Sequence, residues 1–209
     1  MKRILVIAPH PDDETIGLGG TLRGHVVAGD RTHVVFLTSG EAGGHGIDDP
    51  AGQREAEAVK AAEILGLETI EFWRMPDGAV RASRPAVARL RELLESTRPD
   101  IVYVPHSNDG HSDHRASWRM LRGALRDTGV PEVREYELWS PLSHANVIVD
   151  ITAHVEHKLS AIRAYESQCN VMRFDDAFLG LARYRGEMLN WPDRGYAEAF
   201  LRRESPGRR

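Results

Sequence analysis

Short runs of apolar and β-branched residues alternate with longer amphipathic stretches along the first half of the chain. These runs predict strands at Arg3–Ala8, Thr32–Thr38, Thr69–Trp73 and Ile101–Val104. Such alternation is typical of βαβ units, which build a mostly parallel sheet with helices on its faces. The first and fourth runs are almost wholly apolar, as strands buried on both faces are. The sequence therefore predicts an α/β fold with a mostly parallel sheet.

Apolar residues at helical spacing predict the helices that lie between and after these strands. They recur at Ala58, Ala62 and Leu65, at Val87, Leu90 and Leu94, at Trp118, Leu121 and Leu125, and at Val155, Leu159 and Ile162. Further strands are predicted at Glu135–Trp139 and Val147–Val149. Because a typical domain has about 150 residues, the 209 residues predict a single domain over 1–209. A flexible tail is expected over about 203–209.

Charge and hydropathy exclude several classes of protein. The net charge is −4, and the only blocks of like charge are two arginine pairs near the end, so a nucleic-acid partner is not expected. The longest apolar run, Ile4–Ala8, is far shorter than the roughly 20 residues that a membrane span needs. We therefore expect a cytoplasmic protein without membrane insertion. Since Cys169 is the only cysteine, a metal would have to be held by His, Asp or Glu.

Two clusters of polar residues follow predicted strands, where parallel sheets commonly bind ligands. The stretch 9–14, Pro-His-Pro-Asp-Asp-Glu, follows the first strand, and the stretch 105–114, which contains three histidines, follows the fourth. The carboxyl ends of parallel strands lie at one edge of a sheet. We therefore expect the two clusters to meet, although about a hundred residues separate them.

The side chains of the two clusters are those of a catalytic metal site. Such a site has three protein ligands and an open position for water. His10, one carboxylate of the Asp12-Asp13 pair, and either His111 or His114 would supply the three ligands. The other carboxylate is then free to act as a general base on the attacking water. An acidic first helical turn with Pro11 at its first position is the alternative, but it explains neither His10 nor the second cluster.

The two clusters resemble the hallmark motifs of the LmbE-like, or PIG-L, family of zinc-dependent N-deacetylases. The family motifs read A-H-P-D-D-E and H-P-D-H, so this chain inserts Pro9 into the first and carries Ser112 in the second. Neither change removes a functional side chain. Weaker matches extend the resemblance along nearly the whole chain, at Thr38–Glu41, Arg54-Glu55, Leu65-Gly66, Asp150–Thr152, Tyr165–Gln168 and Tyr196–Phe200.

The resemblance implies a Rossmann-like fold and a role for each motif residue. It implies that His10, Asp13 and His114 bind the metal and that Asp12 is the general base. His111 would stabilise the oxyanion or protonate the leaving amine, while Asp113 would orient a histidine. The expected metal is Zn²⁺, although the same ligands accept Fe²⁺ or Co²⁺. The resemblance also suggests a homo-oligomer.

Two further side chains are predicted to bind substrate. Arg54 is predicted to open a helix after the glycine-rich loop 40–52, and in the family an arginine at this place contacts the sugar or its anionic substituent. Glu41, after the second strand, would orient a ligand or a substrate hydroxyl, or else cap a loop. His144 is a further candidate for lining the site. Residues interpreted as structural or surface are His25, His33, His45, His106, His154 and His157, with Trp73, Trp139 and Trp191 in the core.

Other classes of protein share part of this pattern. Receiver-like signalling modules also carry an acidic pair after the first strand, but they need an aspartate directly after the third strand, where this chain has Arg74. Non-haem Fe(II) oxygenases use two histidines and a carboxylate, usually on an all-β scaffold. The segment Gly17-Leu18-Gly19-Gly20 does not complete a dinucleotide-binding motif, because Leu22 stands where the last glycine should be.

The pattern and the resemblance together predict a metal-dependent hydrolase. The predicted reaction cleaves an N-acetyl amide of a glucosamine-containing small molecule and releases acetate and a free amine. A non-sugar amide is the alternative substrate, and a small molecule is the only partner expected besides a second copy of the chain.

Overall fold

A single seven-stranded sheet organises the part of the chain that the computed structural model describes, which is residues 1–44, 46–126, 128–190, 192 and 195–204. The strands are β1 (Arg3–Ala8), β2 (Arg31–Phe36), β3 (Thr69–Phe72), β4 (Ile101–Pro105), β5 (Glu132–Tyr136), β6 (Val147–Asp150) and β7 (Ala197–Glu204). Their order in the sheet is β3-β2-β1-β4-β5-β7-β6. The five strands from β3 to β5 are parallel, whereas β7 runs antiparallel to β5 and β6. The predicted α/β class is confirmed.

Helices cover both faces of the sheet. They are α1 (Asp13–Val27), α2 (Pro50–Leu65), α3 (Arg84–Thr97), α4 (Ser112–Ala124), α5 (Val155–Arg163), α6 (Glu166–Cys169) and α7 (Phe174–Leu189). Successive residues of β1 point to opposite faces, so Val6 packs with α1, α2 and α5, while Ile7 packs with α3 and α4. The result is a three-layer α/β/α arrangement. Among the described residues, no helix combines the length and the apolar character needed to cross a membrane.

Local sequence signals account for the ends of α2. The Asp49 side chain accepts a hydrogen bond from the Gly52 amide, and Pro50 occupies the first turn, where its missing N–H is no loss. Gly66 ends the helix in the left-handed conformation, with φ of 77°. The prediction that Arg54 opens this helix is wrong, because the cap and the proline begin it four residues earlier.

The second half of the chain departs most from the sequence prediction. The fifth strand lies at Glu132–Tyr136, three residues before the predicted Glu135–Trp139, because β4 and β7 flank its alternating polar and apolar residues on both sides. β7 and α7 were not predicted. Arg203 and Glu204, within the tail expected to be flexible, pair with β5, while 205–209 lie outside the described residues.

Candidate metal centre

Three potential metal ligands lie together where β1 and β4 end side by side. His10 Nδ1 is 3.3 Å from Asp13 Oδ2, and His114 Nε2 is 3.4 Å from each of these two atoms. Zinc bonds of about 2.0–2.2 Å place tetrahedral ligand atoms about 3.3–3.6 Å apart. All three side chains are buried. Their spacing therefore fits a divalent metal ion, and these are the three residues that the resemblance names as ligands.

A carboxylate lies beside the second ring nitrogen of each of these two histidines. Asp109 Oδ1 lies 2.9 Å from His114 Nδ1, and Asp77 Oδ1 lies 3.0 Å from His10 Nε2. Metal-bound histidines almost always donate their second ring N–H to a carboxylate, a backbone carbonyl or a water. His10 Nε2 is nevertheless buried without an aligned hydrogen-bond partner. Asp77 and Asp109 have no role predicted from the sequence, although both follow strands at this edge of the sheet, and that position is the signal that points to them.

Two other combinations also gather potential ligand atoms within 4.8 Å of one another. One joins His10 with His111 and His114, and the other joins His10 with Asp77 and Asp113. Both include His10, so this residue lies at the centre of every arrangement found among the described residues. The set of His10, Asp13 and His114 is the one that the resemblance names, and in it His10 Nε2 and His114 Nδ1 both face carboxylates.

Negative charge dominates the surroundings of the two histidines. Burial lowers the pKa of His114, but Asp13 and Asp109 outweigh this effect and raise it to about 9. Burial by itself would raise the pKa of Asp13, but His114 and His10 outweigh this effect and hold it well below its usual range. Five carboxylates converge here, Asp12, Asp13, Asp77, Asp109 and Asp113. A divalent cation would offset part of this charge.

Asp12 is held in a backbone conformation that costs free energy. Its φ of 118° lies where residues other than glycine are rare. The Asp12 amide donates to Glu14 Oε2 at 3.1 Å, and Glu14 Oε1 accepts a hydrogen bond of 2.6 Å from Tyr165. Burial raises the pKa of Asp12 to about 7, against the opposing charge of Arg54. Glu14 and Tyr165 thus help to hold the backbone of Asp12, the residue that the resemblance names as the general base.

Arg54 lies in the site and is already engaged by it. Its Nη2 donates to Asp12 Oδ2 at 3.0 Å and to the Pro11 carbonyl, and its Nη1 donates to the Gly40 carbonyl at 2.8 Å. Gly40 has φ of 70°, and a Cβ there would meet the guanidinium at 2.5 Å. Only the buried Nε lacks a partner. The predicted substrate-binding arginine therefore lines the cavity while it also holds Asp12.

Glu41 ties two loops together. Its Oε1 accepts a hydrogen bond of 2.9 Å from the Asp77 amide, and the Asp77 carboxylate accepts one of 3.0 Å from Ala42. Glu41 is not among the residues that line the cavity. The structure thus gives this side chain the loop-capping contact that the sequence left as the alternative to substrate binding.

His111 lines the cavity, and one of its ring nitrogens is engaged by the backbone. Its Nδ1 accepts a hydrogen bond from the Asp113 amide at 3.2 Å, which leaves Nε2 to carry the proton of the neutral ring. Burial, together with the neighbouring His10 and His114, lowers the pKa of His111 and favours this neutral form. The Asp113 carboxylate accepts from the Gly78 amide at 2.8 Å and lies 3.4 Å from His10 Nε2.

A cavity of about 250 Å³ opens beside these side chains. Its polar wall contains His10, Asp12, Asp13, Arg54, Asp77, His111 and Gln168, and its apolar wall contains Ile16, Trp139 and Phe174. The interpretation of Trp139 as a core residue is wrong, since it is 51% exposed and its ring meets Phe174 edge-on at 6.2 Å. The sequence pattern gave no signal for Trp139 or Phe174.

The other residues considered in the sequence lie elsewhere. Trp73 is buried in the core as predicted, and His144 is exposed and does not line the cavity. His45 and Trp191 lie outside the described residues.

Comparison with known proteins gives the same family that the motifs suggest. Residues 5–125 match the family model described as PIG-L, GlcNAc-PI de-N-acetylase. Diacetylchitobiose deacetylase from Thermococcus kodakarensis is 32% identical over 193 residues, which covers 80% of this chain and 70% of that protein.

Solved structures share the whole fold. N,N′-diacetylchitobiose deacetylase from Pyrococcus horikoshii, solved with an inhibitor, has a TM-score of 0.86 and 27% identity, covering 98% of this chain and 84% of its own. The 4-carboxy-2-hydroxymuconate hydratase GalB from Pseudomonas putida KT2440 also has a TM-score of 0.86, with 24% identity over 100% of this chain and 99% of its own. The likeness to the hydratase shows the fold alone, because one fold can carry different chemistries.

Proposed function

Because this chain belongs to the PIG-L family of N-deacetylases, we propose that its metal centre hydrolyses the N-acetyl amide of a glucosamine-containing small molecule. The observation that carries the proposal is the triangle of His10 Nδ1, Asp13 Oδ2 and His114 Nε2, with Asp12 next to it in the chain. The products are acetate and a free amine.

We propose Zn²⁺ as the metal, held by His10, Asp13 and His114. Two histidines and one carboxylate are a common ligand set of catalytic zinc, and the same set accepts Fe²⁺ or Co²⁺. When bound, the ion would act as a Lewis acid and would lower the pKa of water enough to make it a nucleophile at neutral pH.

Asp12 is suited to take the proton of the attacking water. It lines the cavity, and its Oδ2 is fixed by Arg54 at 3.0 Å. The guanidinium favours the ionised carboxylate, which is the form that a general base needs. As the water oxygen bonds to the acetyl carbon, Asp12 receives the proton.

His111 is suited to stabilise the charge that develops on the acetyl oxygen. The hydrogen bond from the Asp113 amide to Nδ1 fixes the ring and leaves Nε2–H as the donor toward the cavity. A donor that is already in place before the reaction stabilises an oxyanion at little reorganisation cost. When the C–N bond breaks, the leaving nitrogen takes up the proton that Asp12 removed from water.

The shape of the cavity favours a small, partly apolar group. Its volume of about 250 Å³ lies just below the roughly 300–1,000 Å³ of typical ligand pockets, so it suits one sugar ring better than a large ligand. Trp139 and Phe174 offer the apolar surface on which a sugar face can stack. The relative from T. kodakarensis, named for diacetylchitobiose, supports the glucosamine class, and a non-sugar amide is the alternative.

Acetate release from a panel of N-acetylated compounds tests the proposal. The panel contains N-acetylglucosamine, N,N′-diacetylchitobiose, an N-acetylglucosaminyl inositol and an N-acetyl amino acid, each assayed with zinc-loaded enzyme and after chelation. We expect acetate from at least one sugar, lost on chelation and in Asp12→Asn. Release from the amino acid alone would select the non-sugar alternative, and no release from any of them would contradict the proposal. A cytoplasmic location and a homo-oligomer stay predictions.

A further inference from the structure

α1 is broken one turn after the metal-ligand segment. Leu18 has φ of −150° and ψ of 22°, which are not helical values, so the helix consists of a short first part, 13–17, and a longer second part. In an unbroken helix the Gly20 amide would donate to the Ile16 carbonyl. In this structure each of these two groups has a side-chain partner from another element.

The partners are Lys158 of α5 and Glu198 of β7. Lys158 Nζ donates to the Ile16 carbonyl at 2.8 Å, and Glu198 accepts from the Gly20 and Thr21 amides at 3.1 and 2.8 Å. The two side chains also bond each other at 2.6 Å. The Lys158–Glu198 ion pair therefore lies at the break in α1. Lys158 donates to the carbonyl that lost its helical partner, and Glu198 accepts from the amides.

Close packing explains the glycines of the segment Gly17-Leu18-Gly19-Gly20. A Cβ on Gly17 would lie 2.5 Å from the Tyr136 ring, and one on Gly20 would lie 2.6 Å from the Ile151 side chain. These glycines, which resemble an incomplete dinucleotide motif, thus allow the broken helix to pack closely against Tyr136 of β5 and against Ile151, which lies just before α5.

A buried ion pair is a poor source of stability. Lys158 and Glu198 are 2% and 4% exposed, and removing two charges from water costs about as much as their attraction returns. Their contacts converge on the break and on the turn before it. That turn has five residues, too few to keep its orientation without outside contacts. It begins with Asp13, and its Ile16 lines the cavity.

We propose that Lys158 and Glu198 are positioning residues of the metal centre, which hold the turn carrying Asp13 in register with His10 and His114 by bonding the backbone on both sides of the break in α1. The inference rests on the proposed function, because it takes Asp13 as a metal ligand. It extends the site to α5 and β7, which supply none of the proposed ligands.

Zinc affinity of the purified chain tests this role. Chelator competition gives the Kd for Zn²⁺ of the wild type, Glu198→Gln, Lys158→Met and the double variant Lys158→Met/Glu198→Met, with thermal stability measured in parallel. Leu90→Ala is the matched control, because Leu90 is fully buried in α3, belongs to the core cluster on the opposite face of the sheet and does not line the cavity.

We expect the single variants to raise the Kd for Zn²⁺ roughly 10- to 100-fold, the range found when groups that orient metal ligands are removed. The double variant separates positioning from stability, because it removes both charges and so leaves no unpaired charge in the core. It should keep the weakened zinc binding even where its Tm returns toward the wild type. Its kcat should fall more than its KM rises, whereas Leu90→Ala lowers Tm and leaves the Kd unchanged.

Two results would overturn the inference. One is a double variant that binds Zn²⁺ as the wild type does, and the other is a Leu90→Ala protein whose zinc affinity falls in step with its Tm. Failure of the proposed function looks different, since the wild type itself would then bind no zinc or release no acetate.

Discussion

Arg54 Nη2 lies 3.0 Å from Asp12 Oδ2, and the side chains of both residues are at most one-tenth exposed. Breaking a buried pair by removing one partner leaves the other charge uncompensated. This contact joins α2 to the loop that follows β1. Arg54, which is expected to bind substrate, therefore also positions the carboxylate of the proposed general base.

Replacement of Arg54 tests this double task. A residue that only bound substrate would change KM and leave kcat unchanged. We expect Arg54→Met to lower kcat as well, by roughly 10- to 100-fold, the equivalent of about 1.4–2.7 kcal/mol, because Asp12 loses its positioning partner. Arg74→Met is the control, since Arg74 pairs with Glu55 at an exposed position. Steady-state kinetics decide, and an unchanged kcat in Arg54→Met would return this residue to substrate binding alone.

Replacement of His111 separates an oxyanion donor from a metal ligand. If Nε2–H donates to the acetyl oxygen, His111→Ala should lower kcat roughly 10²- to 10³-fold, the range for loss of one such donor. Metal content measured on the same protein should stay at the wild-type level. Loss of the metal would instead favour the set of His10, His111 and His114 as ligands.

Because the cavity suits one sugar ring and Trp139 is 51% exposed beside it, Trp139 should contact the part of the substrate beyond the acetylated ring. Pairs of aromatic rings gain about 0.5–1.5 kcal/mol beyond area burial, and with a similar gain for a sugar face on the indole, Trp139→Ala should lower kcat/KM for N,N′-diacetylchitobiose by roughly 2- to 13-fold. The effect on N-acetylglucosamine should be smaller. Tyr184→Ala, an exposed aromatic that does not line the cavity, serves as the control. Equal losses on both sugars would contradict a contact beyond the acetylated ring.

A half-buried network around Tyr103 of β4 should make stability depend on pH. His25 contacts Asp30 at 2.8 Å and the Tyr103 hydroxyl at 3.0 Å, and Arg134 donates to that same hydroxyl. Burial lowers the pKa of His25 below its ordinary value of 6.5, against the opposing effect of Asp30. The unfolded chain therefore binds a proton near pH 6.5 that the folded chain does not.

The contribution of His25 to the free energy of unfolding should consequently fall as the pH drops from 7 to 5, whereas Asp12 and His114, whose pKa values are raised, contribute with the opposite sign. Urea unfolding across this range isolates the His25 contribution, because the difference in free energy of unfolding between the wild type and His25→Gln should shrink as the pH drops. His144→Gln, at an exposed histidine, should keep the wild-type pH dependence. A His25→Gln protein with the same pH dependence as the wild type would contradict the assignment.

The sequence was most informative where one signal determined the structure. Continuous apolar runs located β1 and β4, and the polar residues after them gave the proposed ligands together with Asp12 and His111. β5 was misplaced because Glu132 and Arg134 interrupt its apolar pattern, and its assignment depends on pairing with β7, which lies more than sixty residues away in sequence.

Long-range contacts account for the features of the site that the sequence did not reveal. Asp77 approaches His10 only because the loop after β3 folds over the sheet edge, where Glu41 holds its backbone. Trp139 and Phe174 come from separate elements and meet only in the folded chain. The role of Arg54 depended on a contact with Asp12, 42 residues earlier in the sequence.

Metal content and acetate release measured together on Asp12→Asn and Asp13→Asn test the central claim most directly. The account predicts that Asp12→Asn keeps its zinc and loses turnover, because the ligand triangle is intact and the general base is gone. Asp13→Asn should lose zinc and turnover together. The reverse pattern, with zinc lost in Asp12→Asn and kept in Asp13→Asn, would contradict the assignment of the ligand and the base.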